Sequence, residues 1–412
     1  MKNKQQIFKI SDGNICSPIG FKSSGVKAGL KQNEALDLAL IVSECPAVTA
    51  GVFTTNLFAA APVQYCKNNL KNNTYSRAII INSGNANACT GKLGYNDAIT
   101  MATYTAERLN IDSNNILVAS TGRIGVALPM DKIKRGIIKV ISCLSYDGGH
   151  KAAKAIMTTD TRIKEIAVQI SIAGKTVTVA GMAKGAGMIA PKLISPHATM
   201  LAFITTDANV SHSCLKSTLI NAANESFNRI SVDGDMSTND SLFIMANGKA
   251  GNNVLETGSS DARLLADAIK KVARYLAKKI VKDGEGVTKC VTLKIENAAT
   301  KNDAKLCAEA IANSLLCKTA WFGNDPNWGR LVAAAGYSGA AFNPNKINVY
   351  YNHLPVVLNG NNAGTPEEDV VKILKTSNFT LKIDLSAGSC SYYMWTNDLS
   401  YEYVKINADY RS

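Results

Sequence analysis

The segment Met182-Ala-Lys-Gly-Ala-Gly-Met-Ile-Ala-Pro191, followed after six residues by Ala198-Thr-Met-Leu-Ala-Phe-Ile-Thr-Thr206, is the most distinctive stretch of the chain. A glycine-rich turn after a strand is typical of phosphate-binding loops. Those loops need either a run that ends in Gly-Lys-Ser/Thr or a GxGxxG motif that opens a helix. Here Gly185-Ala-Gly187 is followed by Pro191 and a strand-like run, so both nucleotide-binding motifs are excluded.

A loop of small residues therefore leads into Thr199, at the start of a buried strand predicted over Met200–Ile204. Threonine favours strands, so a purely structural role is the simpler interpretation. The alternative is a nucleophile. A cut before Thr199 would create an α-amino group, with a pKa of about 7.7–8, that could serve as the base for the weakly nucleophilic hydroxyl. Ala198 is small, which suits the nitrogen-to-oxygen acyl shift that such a cut requires.

Outward from this segment, strand and helix patterns alternate. The clearest strand signal is a hairpin from Val168 to Ala180 that turns at Ala173-Gly-Lys175. Two helices are predicted over 211–228 and 261–281, and Asp283-Gly-Glu-Gly286 ends the second. Further strands are expected over Leu36–Val42, Arg77–Ile81, Ile116–Ala119 and Val287–Ile295. These patterns predict a mixed α/β fold with helices layered on a mixed sheet.

Length and composition indicate a large globular chain. It has 412 residues, of which 46% are hydrophobic and 19% charged, which suits two domains or lobes. No apolar run approaches the roughly 18 residues of a membrane helix, and the polar N-terminus lacks a signal-peptide core. We therefore expect a cytoplasmic protein with no membrane partner.

The net charge is +13, from 45 Lys+Arg against 32 Asp+Glu, which suits either nucleic acid or small anionic substrates. The basic residues are scattered, and the densest stretch, Lys270–Lys282, falls on the polar side of a predicted helix. A solvated helix face is the simpler interpretation, so we do not expect a nucleic-acid partner.

Cysteine and histidine patterns do not predict a metal site. The ten cysteines are scattered and are expected to be reduced and mostly buried, and the four histidines have no paired spacing. Asp233–Asp240 imitates a calcium loop, but Thr238 and Ile244 occupy the positions that need glycine and glutamate. We interpret this segment as an Asx-rich turn that supports the active site.

Taken together, the motifs resemble the ornithine acetyltransferase family, whose members are self-cleaving enzymes of arginine biosynthesis with an N-terminal threonine. The resemblance covers nearly the whole chain and depends on motifs that occur in a fixed order. They are Asn82–Gly91, Ala119–Gly122 with Leu128–Met130, Met157–Thr161, Lys184–Ile189, Ala198–Asp207, Phe227–Asp240, Asp283–Gly286, Asp325–Arg330 and Val404–Arg411. The resemblance implies a layered αββα-type sandwich like that of N-terminal nucleophile enzymes, cut between Ala198 and Thr199 into fragments 1–198 and 199–412.

The resemblance also implies the catalytic roles. Thr199 would cut the chain and then carry the acetyl group as an ester in a ping-pong cycle. Thr121 and Gly122 would form the oxyanion hole. A turn after the strand Ile116–Ala119 suits that role, because donors there can face a developing alkoxide. Without the resemblance, a plain turn would be the preferred interpretation.

Substrate contacts are implied for a further set of residues: Thr158, Lys184, Thr199, Glu285, Asn407 and Ser412. An amino-acid substrate carries a carboxylate and an amine, so its pocket needs at least one cation and one anion. The stretch from Val404 is expected to be an ordered strand end. The chain departs from the family pattern in a longer segment over 192–197, in Arg123 after the oxyanion turn, and in Ser412 in place of a terminal threonine.

The sequence therefore predicts an acetyltransferase that moves acetyl from N-acetylornithine to glutamate. No resident cofactor is expected, and two pairs of fragments are expected to assemble. Many family members also accept acetyl-CoA as donor, and the sequence leaves that use open. Two alternatives also stay open: an N-terminal-nucleophile amidase or aminopeptidase, and a non-catalytic basic binding protein. Acyl transfer to glutamate would distinguish the main prediction from both.

Overall fold

The computed structural model of the chain describes residues 7–32, 34–190 and 200–409. The described residues form two compact units, and each has its own sheet. The first unit contains the described residues up to Asn228 together with Met236–Ile280, and the second contains Arg229–Asp235 together with those from Val281 onward. Both units combine helices and strands, so the predicted mixed α/β class is confirmed.

The sheet of the first unit contains nine of the described strands. They are β1 (Phe8–Lys9), β2 (Phe21–Val26), β3 (Leu38–Phe53), β4 (Tyr75–Asn85), β5 (Ile116–Arg123), β6 (Lys164–Ile172), β7 (Lys175–Lys184), β8 (Leu201–Thr206) and β9 (Ser241–Ala246). Their spatial order is β1-β6-β7-β8-β9-β3-β4-β5, and β2 pairs with β3 outside this order. The pairs β4–β5 and β8–β9 are parallel, whereas β3 runs antiparallel to β2, β4 and β9.

The predicted hairpin is β6–β7, and its turn is one residue shorter than expected. Lys175 already pairs with Ile172, so only Ala173 and Gly174 form the turn. Both have positive φ angles, 47° and 77°, as a type I′ turn requires. The hairpin places Lys184 at the far end of β7, directly before the glycine-rich loop.

β8 and β9 lie inside the sheet. β8 runs antiparallel to β7 and parallel to β9, which in turn pairs with β3. All six residues of β8 are buried, which explains its continuous run of apolar residues and threonines. Both strands come from the predicted second fragment, and both neighbours, β7 and β3, come from the predicted first fragment. The cut before Thr199 itself lies outside the described residues and stays a prediction.

Among the described residues, six α-helices begin in the first unit, and they cover its sheet on both faces. They are α1 (Ala61–Asn72), α2 (Gly91–Leu109), α3 (Met130–Ser142), α4 (Gly149–Ala155), α5 (His212–Asn224) and α6 (Ser260–Lys282). Successive strand residues point to opposite faces. Leu40 and Ile80 pack with α2 and α3, whereas Ile41 and Ile81 pack with α1 and α4.

The two helices predicted from the sequence are α5 and α6. The prediction for α6 is confirmed almost to the residue, because its apolar stripe is uninterrupted. α5 ends at Asn224 instead of residue 228. The Ser226 hydroxyl donates to the Ala222 carbonyl, 2.6 Å away, and so competes with the helical hydrogen bonds of the backbone there.

The second unit has a six-stranded sheet and five helices among its described residues. The strands are β10 (Cys290–Ala298), β11 (Asn348–Tyr351), β12 (Leu354–Leu358), β13 (Asn361–Asn362), β14 (Asn378–Asp384) and β15 (Cys390–Asn397), in the order β13-β12-β11-β14-β10-β15. The helices are α7 (Lys301–Asn313), α8 (Leu315–Gly323), α9 (Trp328–Gly336), α10 (Glu367–Leu374) and α11 (Tyr401–Asp409). Its core includes the fully buried Trp321, Leu293 and Leu381.

The expectation of a strand end from Val404 is wrong, because this stretch lies in helix α11. The Ser400 hydroxyl accepts a hydrogen bond from the Tyr403 backbone N–H, 3.3 Å away, as a helix N-cap does. The side chain of Asn407 donates to the Tyr403 carbonyl one turn earlier. β10 also begins later than expected, at Cys290, because the Val287 N–H closes a turn onto the Gly284 carbonyl.

Two general expectations can be compared with the described residues. The ten cysteines are free thiols, and six of them are buried, as the sequence predicts. Within the described ranges, no helix is both long and apolar enough to cross a membrane.

The position of β8 and β9 predicts that fragments 1–198 and 199–412 will stay together. Expressed as separate chains in one cell, they should copurify through a tag on either fragment, because the sheet is completed only by pairing β7 with β8 and β3 with β9. Ile204→Asp, which puts a charge in the buried β8, should abolish copurification, whereas Lys216→Asp on the exposed face of α5 should not. Recovery of each fragment alone under native conditions would contradict this arrangement.

Candidate active site

The turn at the end of β5 is held against β4 by close backbone contact. Thr121 and Gly122 pair with Ser83 and Gly84 in the parallel register. Gly122 has a φ of 132°, and a Cβ atom there would lie 2.3 Å from the Gly84 carbonyl carbon. No other residue type fits this position without moving the backbone.

Hydrogen bonds with asparagine side chains stabilise this turn. The Asn239 amide donates to the carbonyl oxygens of Ser120, at 2.8 Å, and Ala86, at 2.5 Å. The Ser120 hydroxyl donates to Asn82, whose own amide donates to the Asn85 carbonyl. Asn239 belongs to the segment Asp233–Asp240, and these bonds place it against the predicted oxyanion turn.

Lys184 is brought directly to the predicted oxyanion turn. It ends β7, is only 3% exposed, and its Nζ atom lies 3.2 Å from Thr121 Oγ1. Lysine only donates hydrogen bonds, so the Thr121 oxygen is the acceptor. Two residues that were predicted from separate motifs, one for substrate and one for catalysis, therefore share a contact.

The carboxylate of Asp160 connects Thr158 to the start of the glycine-rich loop that follows Lys184. One oxygen accepts from the Gly185 backbone N–H at 2.7 Å and from Lys164 Nζ at 2.5 Å, and the other accepts from the Thr158 N–H at 3.0 Å. Burial alone would raise the pKa of Asp160. The charges of Lys164 and Lys184 and the bond from Gly185 outweigh it and hold the pKa at about 2.

Asp160 and Lys164 had no role in the sequence interpretation. Asp160 lies in the motif Met157–Thr161, and this position in a family motif is the sequence feature from which its role could have been predicted. Lys164 carries no comparable signal, because a lysine at the start of a strand normally faces solvent, whereas this side chain is 1% exposed.

Glu285 and Asn407 form a second group, in the second unit. The Asn407 amide donates to Glu285 Oε2 at 2.8 Å, and the Ser400 hydroxyl before α11 donates to the Gly286 carbonyl at 2.7 Å. The start of α11 is thereby fixed to the turn that carries Glu285. The helix, rather than the expected strand, is what presents Asn407 to this carboxylate.

Three predicted residues, Ala198, Thr199 and Ser412, lie outside the described residues, as does the longer segment 192–197. The nearest described neighbour of Thr199 is Met200, which is buried and accepts a hydrogen bond from the Ser241 N–H. The next residue, Leu201, is the register partner of Lys184.

Two further expectations concern charge and metals near the turn. Arg123 follows Gly122, and its side chain is exposed to solvent while its carbonyl accepts from the Ala86 N–H. Among the described residues, no group of three or more His, Cys, Asp or Glu side chains is arranged to hold a metal ion.

In chemical terms, the first unit offers a buried cation and a strained turn whose backbone and hydroxyl groups can donate hydrogen bonds. The second unit offers a carboxylate that is oriented by an amide. Donors fixed in a buried site stabilise a developing oxyanion far better than water does, and a buried cation suits an anionic group of a substrate.

Comparison with known proteins gives a match over nearly the whole chain. A model of the ArgJ family matches residues 22–412. The arginine biosynthesis bifunctional protein ArgJ of Dehalococcoides mccartyi is 48% identical over 409 residues, which are 99% of this chain and 99% of that protein. The glutamate N-acetyltransferase of Methanocaldococcus jannaschii is 46% identical over 411 residues, covering 98% of this chain and 99% of that protein.

Solved structures include a similar chain of about half this length. The ornithine acetyltransferase of Mycobacterium tuberculosis, solved in complex with ornithine, is 41% identical and covers 46% of this chain and 100% of the solved chain, with a TM-score of 0.43.

Asp160→Asn should be strongly destabilising, because it removes the buried carboxylate that pairs with the buried ammonium of Lys164. Breaking such a pair costs about 3–5 kcal/mol, measurable by urea unfolding. The pKa of Asp160 is about 2 in the folded state and roughly 3.9 when unfolded. The stabilisation is therefore fully present above pH 4 and should be lost as the pH falls from roughly 4 to 2.

The matched control is Asp369→Asn, which breaks a solvent-exposed aspartate–lysine pair with Lys372. No measurable change in unfolding is expected there. Equal effects of the two substitutions, or a difference that does not shrink in acid, would contradict the assigned role of Asp160.

Proposed function

The chain belongs to the ArgJ family, and we propose that it moves acetyl from N-acetylornithine to glutamate through an acetyl ester on Thr199. The observation that carries this proposal is the buried contact between Lys184 and Thr121, which joins a cation for an anionic substrate to a donor for an oxyanion. Over nearly its full length, the chain is 46–48% identical to proteins named as an arginine biosynthesis bifunctional protein and a glutamate N-acetyltransferase. This similarity favours the proposed acetyl transfer over the activity of an amidase or the role of a non-catalytic binding protein.

In this proposal, maturation begins when the Thr199 hydroxyl attacks the Ala198 carbonyl, so that an ester replaces the amide bond and the Thr199 amine becomes free. Water then hydrolyses the ester, which leaves a carboxylate on Ala198 and a hydroxyl on Thr199. The free α-amine, with a pKa of about 7.7–8, is the base for the later steps.

Acetyl transfer then takes two steps. The Thr199 hydroxyl attacks the acetyl carbonyl of N-acetylornithine, and its proton passes through the α-amine to the departing amine of ornithine. The amine of glutamate next attacks the acetyl ester, N-acetylglutamate leaves, and the Thr199 oxygen regains a proton. Each step passes through a tetrahedral oxyanion, which donors must stabilise.

Thr121 and Gly122 are the proposed donors to that oxyanion. Thr121 Oγ1 accepts from Lys184, so the hydroxyl hydrogen of Thr121 is directed to a different acceptor. The Gly122 N–H belongs to the tight turn against Gly84. The positions of Thr121 and Gly122 are thus fixed by the fold before substrate binds, and such preorganised donors give a large rate effect.

Substrate recognition is proposed for Thr158, Lys184, Glu285, Asn407 and Ser412. Lys184 supplies the cation for a substrate carboxylate, and Glu285, oriented by Asn407, supplies the anion for a substrate amine. Acetyl-CoA is proposed as a second acetyl donor, and the net charge of +13 supports the binding of such anions. We also propose that two copies of each fragment assemble.

Thr199→Ala should remain one uncut chain without acetyl transfer, whereas Thr199→Ser, which keeps a hydroxyl, should still be cut. Intact mass spectrometry after a pulse of N-acetylornithine tests both steps at once. Wild-type protein should give two fragments, with roughly 42 Da added to the second by the covalent intermediate. An active but uncut wild type would overturn the proposal.

Thr121→Val removes the hydroxyl donor at nearly constant volume. It should lower kcat by roughly 100- to 1000-fold with little change in KM, because an oxyanion donor acts in the transition state. Thr121→Ser is the matched control and should retain most of the activity. A change confined to KM would instead place Thr121 in ground-state binding.

A further inference from the structure

The loop from Ala28 to Lys31 is wrapped around one buried carboxylate. The backbone N–H groups of Ala28, Gly29, Leu30 and Lys31 all donate to Asp37, at distances between 2.6 and 3.1 Å. Asp37 is completely buried, and its own carbonyl accepts from the Ser83 N–H in β4. These bonds fix the loop, and with it Lys31, to the end of β4.

The side chain of Lys31 lies beside Gly84, which is next to the predicted oxyanion turn. A Cβ atom on Gly84 would lie 3.2 Å from Lys31 Cγ, so the lysine stem passes across this glycine. Gly84 is the strand partner of Gly122. Lys31 Nζ donates to the Leu36 carbonyl at 2.7 Å, which leaves further ammonium hydrogens for other acceptors.

Among the described residues around Lys31, positive charges outnumber negative ones. Burial, reinforced by the charge of Lys184, lowers the pKa of Lys31 to about 8, although Asp37 and Asp160 act in the opposite direction. Lys31 therefore lies within electrostatic range of the Lys184–Asp160 group. Among the described residues, the side-chain charges that act on Lys31 and Asp160 belong to three lysines (Lys31, Lys164 and Lys184) and two aspartates (Asp37 and Asp160). An excess of positive charge in a poorly hydrated place favours an anionic ligand.

We propose that Lys31 binds the carboxylate that glutamate has and N-acetylornithine lacks. This inference rests on the proposed function. The donor substrate carries one carboxylate and a side-chain ammonium, which Lys31 would repel, whereas the acceptor carries two carboxylates. Lys184 serves the carboxylate common to both substrates, and Lys31 determines which amino acid takes the acetyl group in the second step.

Lys31→Met should raise the KM for glutamate by roughly 10- to 100-fold, the cost of one charge-assisted hydrogen bond. It should also remove the preference for glutamate over glutamine as acceptor. Ornithine release from N-acetylornithine in a single turnover should change far less, and Lys31→Arg should restore most of the affinity for glutamate. The matched control is Lys132→Met, which removes an exposed lysine that donates to Gly29 in the same loop.

Equal losses in both half-reactions, or an unchanged KM and acceptor preference, would overturn the role of Lys31. Calorimetric titration of glutamate into wild-type and Lys31→Met protein separates this inference from the proposed function. If wild-type protein releases no ornithine, the proposed function fails, while weaker glutamate binding by Lys31→Met would still support the lysine as a carboxylate ligand. Equal glutamate affinity in the two proteins would overturn it.

Discussion

The buried carboxylate of Asp160 is the constraint on which the site in the first unit depends. It takes hydrogen bonds from Thr158, Lys164 and Gly185, and so ties the segment after α4 to the starts of β6 and the glycine-rich loop. The ammonium groups of Lys164 and Lys184 both interact electrostatically with this carboxylate. Asp160 therefore helps to stabilise the charge of Lys184, which lies beside Thr121 with little exposure to water.

The parallel pair β4–β5 contributes the second half of the same arrangement. Gly122 lets the two backbones approach more closely than any side chain would allow, and Asn239, from a distant part of the chain, donates a hydrogen bond to Ser120 before the turn. The candidate site residues here lie at strand ends or in turns that buried side chains hold in place. Such positioning is what makes hydrogen-bond donors effective in catalysis.

Features that depend on neighbours in sequence could be predicted well. The β6–β7 hairpin and helix α6 follow from periodicity and from turn residues, because local geometry determines both. The contact between Lys184 and Thr121 could not be predicted from spacing, since it joins residues far apart in the chain, and family motifs alone suggested that the two belong together. The prediction of a strand from Val404 is wrong because this stretch is a helix that Ser400 caps. The helix is exposed, so its sequence has little of the apolar periodicity from which a helix is predicted. Lys31 was missed for a related reason: its burial comes from wrapping around Asp37, which no periodicity reveals.

The insertion of β8 between β7 and β9 has a consequence for the order of events in the life of the protein. The proposed cut lies just before β8, a strand that pairs with β7 of the first fragment. If the cut requires this pairing, processing would follow folding in time, and a chain that misfolds would stay in one piece. The new N-terminal threonine would then exist only in molecules whose sheet is complete. Inactive molecules that have not completed their sheet could be quantified from the length of their uncut chain.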